Sequence, residues 1–292
     1  MQDMSKAFID VGHSRLAYWK IGRGPDLVFV HGWPLHSATF RGIVPLLAPH
    51  FTCHLLDLPG SGQTICTDRS ALDFSTHADT VLQAVGALGL RRYALLAHDS
   101  GGFVARLIAA RDSRVSALVL GNTEVPDHVP LLVRFYAALA RWRLGAALVR
   151  LTMRSRLLRE SALGFGDCFS DKKHLRGEFH DLFVKPLLES AACAESQLAP
   201  LAKFDFEKFR ALPAIHAAIR APVLLAWGDR DPFFPIEKAR KMADQFGGLV
   251  DFRVLEGTKL FAHEERPEEF GTLARDFLTK HAVEHAEARA SC

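Results

Sequence analysis

The run Ala97-His98-Asp99-Ser100-Gly101-Gly102 sets a carboxylate among small residues, where the apolar stretch Tyr93 to Ala97 gives way to a helix-forming one. Joining a strand to a helix so abruptly presents the central residue on a strained backbone, and small neighbours let the helix begin close to the strand. The N-terminus of that helix then faces the carboxyl group, where its free N–H groups favour negative charge. In this reading Asp99 is a nucleophile; in the competing one it merely caps the helix.

His31-Gly32-Trp33-Pro34 follows the apolar run Leu27 to Val30. There the backbone N–H of Trp33 can join that of Ser100 in cradling a developing oxyanion. Asp57-Leu58-Pro59-Gly60-Ser61-Gly62 is read as a turn that shapes a loop, since no Lys-Ser/Thr follows the glycines as phosphate binding would require. Asp231, in Gly228-Asp229-Arg230-Asp231-Pro232, lies just past the run Val223 to Trp227, where the third member of a catalytic triad belongs; Asp229 is read as a turn residue.

In this order HGWP, DLPGSG, HDSGG, GDRDPFFP and HEERPEEF resemble the haloalkane dehalogenase and epoxide hydrolase branch of the α/β-hydrolase superfamily, over roughly residues 25–122 and 220–280. The resemblance implies that Asp99 attacks an sp³ carbon to form an alkyl ester, which a His-activated water then hydrolyses. An Asp suits that role because it is ionised at neutral pH and its ester is cleavable by water. The resemblance assigns Asp231 to orient the His, with Glu124, after the run Val115 to Leu120, as the alternative acid. It also implies a hydrolase without a cofactor.

Relatives of this kind carry their His shortly after the last strand, in the pattern Gly-His-aromatic-x-x-Glu-x-x-Pro. Counting back from Pro267 puts Leu260 at that position, and His263 three residues later is the only nearby replacement. With Leu260 in place of the base, attack by Asp99 is expected to leave a trapped ester, because the lost general-base help is worth ~10²–10⁴ in rate. The donors that stabilise a leaving group are also incomplete. Ser100 stands where dehalogenases carry a Trp, leaving Trp33, and the helical segment offers one Tyr, Tyr136, where epoxide hydrolases use two. His98, Trp142, His174 and His180 are the remaining donor candidates. Two other readings are carried forward: an esterase or lactonase acting through Ser100, and a non-catalytic small-molecule-binding member of the fold.

Positioning these residues requires a parallel sheet. The runs at Leu27, Cys53, Tyr93, Val115 and Val223 are short and almost wholly apolar, as strands covered on both faces are. Helix-like stretches alternate with them: Phe40 to Leu47, Ser75 to Leu88, Gly102 to Arg111, Ile236 to Phe246 and Pro267 to Lys280. The expectation is an α/β-hydrolase fold, a mostly parallel doubly wound sheet, with core 1–125 and 213–292 and a helical cap over 126–212. Two alternating segments, Ala7 to Gly12 and Arg15 to Gly22, are expected to form an antiparallel pair.

At 292 residues and 49 % hydrophobic the chain can bury a large core, and its formal charge of +3 gives no reason to expect nucleic acid. The fourteen His show no metal-ligand spacing, so no metal is expected. Five scattered Cys without a leader-like opening suggest reduced thiols in a cytoplasmic protein. No run reaches the ~20 apolar residues of a membrane span. The expected partner is a small-molecule substrate, with neither nucleic acid nor membrane, and the oligomeric state is not readable from the sequence. Seven Arg between Leu131 and Arg159, set among Leu, Ala and Trp142, could attract a membrane surface or an anionic substrate, but are read as a solvated helix face.

Overall fold

The structure is a computed structural model that describes residues 6–68 and 72–290, with side chains as far as His281. Cys292 and residues 1–5, which entered the expectations on thiols and on the chain's opening, lie outside the described residues.

Strands β1 (Ala7–Asp10) and β2 (Ser14–Gly22) form the antiparallel pair. There follow β3 (Asp26–Val30), the single turn α1 (Val44–Leu47), β4 (Thr52–Leu56), the short β5 (Ile65–Cys66) and α2 (Phe74–Ala87). Next come β6 (Tyr93–Ala97), α3 (Ser100–Ala109) and β7 (Val115–Leu120). Helices α4 (Leu131–Ala140), α5 (Gly145–Arg154), α6 (Arg156–Arg159), α7 (Lys185–Glu189), α8 (Ala191–Ala202) and α9 (Leu212–Ala218) stand between β7 and β8 (Val223–Gly228). The chain closes with α10 (Ile236–Ala243), β9 (Val250–Leu255), α11 (Ala262–Glu265) and α12 (Pro267–Ala290).

The sheet runs β1-β2-β4-β3-β6-β7-β8-β9, with β5 paired to β2, and is parallel from β4 through β9. Its central strands are buried at nearly every position and mostly apolar because both faces are covered. In β6, Tyr93, Leu95 and Ala97 enter the apolar layer beneath α2 and α3, while Ala94 and Leu96 enter the layer beneath α1 and α12. This is the α/β-hydrolase architecture, and it gathers the loops after β3, β6, β7 and β8 along one edge, the usual place for a ligand in such sheets.

Two elements differ from expectation. Phe40 to Leu47 is not one helix but a 3₁₀ turn, Ser37–Phe40, followed by α1, because Pro45 has no N–H to continue a helix begun earlier. Strand β9 was not foreseen, since at the sheet edge it is half-buried and alternates apolar residues with Asp251 and Arg253.

One buried ion pair ties α3 to the loop after β7. Arg106 is fully buried; it donates to Glu124 Oε2 at 3.1 Å and to the Glu124 carbonyl at 2.8 Å, and it lies 3.1 Å from His216 Nε2. Removing one partner of such a pair strands the other charge. Arg106→Leu is therefore expected to cost about 3–5 kcal/mol, and the double change with Glu124→Leu to recover a substantial part, as guanidinium unfolding would measure.

Candidate functional site

Asp99 sits at the end of β6 with φ +48° and ψ −140°, a conformation disfavoured for a residue with a side chain. Its N–H donates to Asn122 O at 2.6 Å and its carbonyl accepts from Gly102 N–H at 2.7 Å, so the strained turn is held from both sides. The glycines are steric necessities. A Cβ on Gly101 would stand 2.3 Å from Val30 O, and one on Gly32 would stand 2.5 Å from the Asp99 carboxyl.

Asp99 opens into a cavity between the sheet edge and the helices inserted after β7. Trp33, Leu260, Phe233 and Phe234 line it from the sheet side; Val133, Tyr136, Val149, Met153, Cys168 and Leu198 line it from the helices. The walls are almost wholly apolar. Among the described residues no histidine lines the cavity.

The electrostatics follow from those walls. Burial, with the Glu124 charge added, holds the Asp99 carboxyl well above the ordinary carboxylate range, and the Ser100 and Trp33 N–H groups oppose this only in part. Burial also pushes Asp231 up to about 7. Its Oδ2 accepts from Asn122 Nδ2 at 2.8 Å and its Oδ1 from Phe233 N–H at 2.7 Å. The acid is thus oriented, but toward an amide and the backbone.

The other expected residues divide sharply. Leu260 shares the cavity with Asp99, as counting back from Pro267 placed it. His263 does not reach the cavity, so its assignment as the base is corrected. Its chain turns into α11 after Phe261, burying the ring beneath the elbow, 4.1 Å from the His98 ring. Thr39 Oγ1 donates to Glu264 Oε1 at 2.9 Å and therefore accepts from His263 Nε2 at 2.8 Å. Burial, aided by the Arg41 charge, lowers His263 to about 3, so it stays neutral.

His98 likewise faces away from the cavity; its Nε2 accepts from Gly32 N–H at 3.3 Å, a part of the loop scaffold and not a substrate donor. Glu124 is engaged with Arg106 and has no base to orient. Trp142 is 53 % exposed and outside the cavity, correcting its assignment as a substrate donor, because it follows the end of α4 on the outer surface. Trp33 and Tyr136 do line the cavity, but Trp33 Nε1 donates to Gln197 O at 2.6 Å and the Tyr136 hydroxyl to Leu163 O at 2.6 Å. Ser100 Oγ accepts from Trp33 N–H at 2.9 Å. Asp57 is a turn residue, accepting from Ser37 and from Gln63 N–H.

Sequence reasoning passed over Asn122, Cys168 and Gln197. Asn122 carried one usable signal, a polar residue directly after an apolar strand. Cys168 and Gln197 carried none, since they reach the cavity from a segment without motifs.

The match to known proteins is broad at the level of fold and narrower at the level of activity. Residues 25–267 match the family model described as alpha/beta hydrolase fold, and the chain belongs to that family. It is similar to a pimeloyl-[acyl-carrier protein] methyl ester esterase of Yersinia enterocolitica, 39 % identical over 105 residues, 35 % of this chain and 38 % of the relative. It is also similar to haloalkane dehalogenase 2 of Mycobacterium bovis, 32 % identical over 117 residues, 40 % of this chain and 41 % of the relative. Each alignment thus spans about two fifths of the relative's length. The crystal structure of a haloalkane dehalogenase from Bradyrhizobium elkani superposes with a TM-score of 0.78 at 24 % identity, covering 95 % of this chain and 98 % of that one, which is a likeness of fold.

Asp231 generates a prediction about stability. Its carboxyl holds a proton up to about pH 7 in the fold, whereas the unfolded chain releases it near the ordinary value of 3.8. A raised carboxyl means the folded state binds more protons in that window, so stability falls as pH rises from about 4 to 7, by up to ~1.4 kcal/mol per unit. Comparing denaturation across that range with Asp231→Ala should show the shallower decline in the variant.

Proposed function

We propose that this protein captures a small apolar electrophile, a haloalkane or an epoxide, as an alkyl ester on Asp99 and releases it slowly, with 126–212 serving as the cap. The observation that carries this reading is Asp99 on its strained turn, its charge favoured by the Ser100 and Trp33 N–H groups, in an apolar cavity whose lining includes Leu260 and, among the described residues, no histidine. A carboxylate oxygen attacks the carbon while the carbon–halogen or ring carbon–oxygen bond breaks, and the two N–H groups steady the carboxyl through the change. Release needs water to attack the ester carbonyl with a base to take its proton. Leu260 has none to offer.

Incubation with a 1-haloalkane should add the alkyl mass to the intact protein and to the peptide holding Asp99, and Asp99→Ala should abolish the adduct. Persistent absence of an adduct at every pH would sink the proposal. Only the ionised carboxyl attacks, so burial, which holds Asp99 well above the ordinary carboxylate range, makes adduct formation go on accelerating with rising pH past the point where an ordinary carboxylate would level off. Leu260→His should hasten release of the alcohol by ~10²–10⁴, because the new imidazole would stand within the cavity beside Asp99 with Asp231 behind it.

The raised Asp99 carboxyl also favours a second reading, in which the neutral acid donates a hydrogen bond to a bound ligand without reacting; saturable binding that leaves no adduct would select it. The relative named as an esterase suggests hydrolysis through Ser100. Aryl ester hydrolysis retained in Asp99→Ala and lost in Ser100→Ala would select that reading.

A further inference from the structure

Eleven large hydrophobic side chains are exposed among the described residues, and nine of them lie between Leu131 and Leu163. Leu131 is 83 %, Leu151 63 % and Leu157 86 % exposed. Clustering of this kind marks an interaction surface, since scattered exposed leucines are ordinary but a concentrated set is not. The same stretch holds seven Arg and one acid, Glu160, which pairs with Arg156 and Arg176.

The helices turn these residues outward in register. On α4, Leu131, Arg134, Phe135 and Ala138 are exposed while Tyr136 and Ala137 are buried; on α5, Leu148, Leu151 and Arg154 are exposed while Val149 and Met153 are buried. Both helices rest on α8, so both outer faces point away from it. Arg134, Arg143 and Arg154 are exposed and have no acidic partner among the described residues. The inner sides of the same two helices line the Asp99 cavity, and a surface depression beside Leu131 shares Leu132 and Phe233 with it.

We propose that the α4–α6 face docks on the surface of an anionic lipid bilayer, its leucines entering the headgroup boundary and its unpaired arginines meeting the lipid charge. Interfacial helices have this composition: Arg among Leu, Phe and Trp, and none long and apolar enough to span. A second copy of this chain fits the face less well, because a symmetric contact would set the unpaired Arg134, Arg143 and Arg154 against the same three of the other copy. An acidic protein would satisfy the arginines but has no evident use for so many protruding leucines. The inference stands on the outer face alone and is independent of the chemistry at Asp99.

The test is flotation of the whole protein with vesicles of phosphatidylcholine, or of phosphatidylcholine with an equal part of phosphatidylglycerol. The expected result is binding to the anionic vesicles that weakens with salt and is slight on the neutral ones. The triple variant Arg134→Gln, Arg143→Gln, Arg154→Gln should lower partitioning about fivefold per residue. The triple variant Leu131→Ser, Leu151→Ser, Leu157→Ser should lower it at least as much, at unchanged circular dichroism. The proposal is overturned by absence of binding, by equal binding to both vesicles, or by binding that ignores the leucine changes, which would indicate a polyanion such as an acidic protein. A dimer in sedimentation velocity that the leucine changes dissolve would also overturn it, in favour of self-association.

Discussion

Everything in this site depends on a close approach. The Asp99 backbone turns through a left-handed conformation so that α3 can start within contact distance of β3, and the loop after β3 passes so near that Gly32 has no room for a side chain. That crowding places the carboxyl against the N–H groups of Ser100 and Trp33. Strain of this size persists only where surrounding hydrogen bonds overdetermine it, and here Asn122 and Gly102 clamp the turn on either side.

The second constraint is the cost of buried negative charge. Asp99, Glu124 and Asp231 stand together at one edge of the sheet in apolar surroundings, and burial raises all three. Arg106 offsets Glu124, and the Asn122 amide and backbone N–H groups partly offset Asp231. A protonated imidazole at position 260 would have added a positive charge to the cavity wall beside Asp99 and drawn its carboxyl down. Leucine instead completes an apolar wall.

The helices after β7 serve two surfaces at once. Their inner sides close the cavity with Tyr136, Val149 and Met153, while their outer sides carry leucines and arginines into solvent. Because one layer of helix separates the two, whatever engages the outer face sits close to the cavity at Asp99.

Much of this was legible in the residues themselves. Apolar runs buried on both faces announce a parallel sheet, and small residues around a carboxylate announce the turn, because both are local consequences of chain sterics and burial. The absence of a histidine at position 260 was likewise countable along the chain. Tertiary structure alone decided what His263 does, since the chain's turn into α11 put its ring under the elbow beside His98. It alone showed that Trp33 and Tyr136, which line the cavity, donate their hydrogen bonds to backbone carbonyls. It alone brought Asn122 to Asp231 and Cys168 to the cavity wall. Hydrogen-bond partners and the direction of a side chain depend on contacts between distant segments, and no local pattern encodes them.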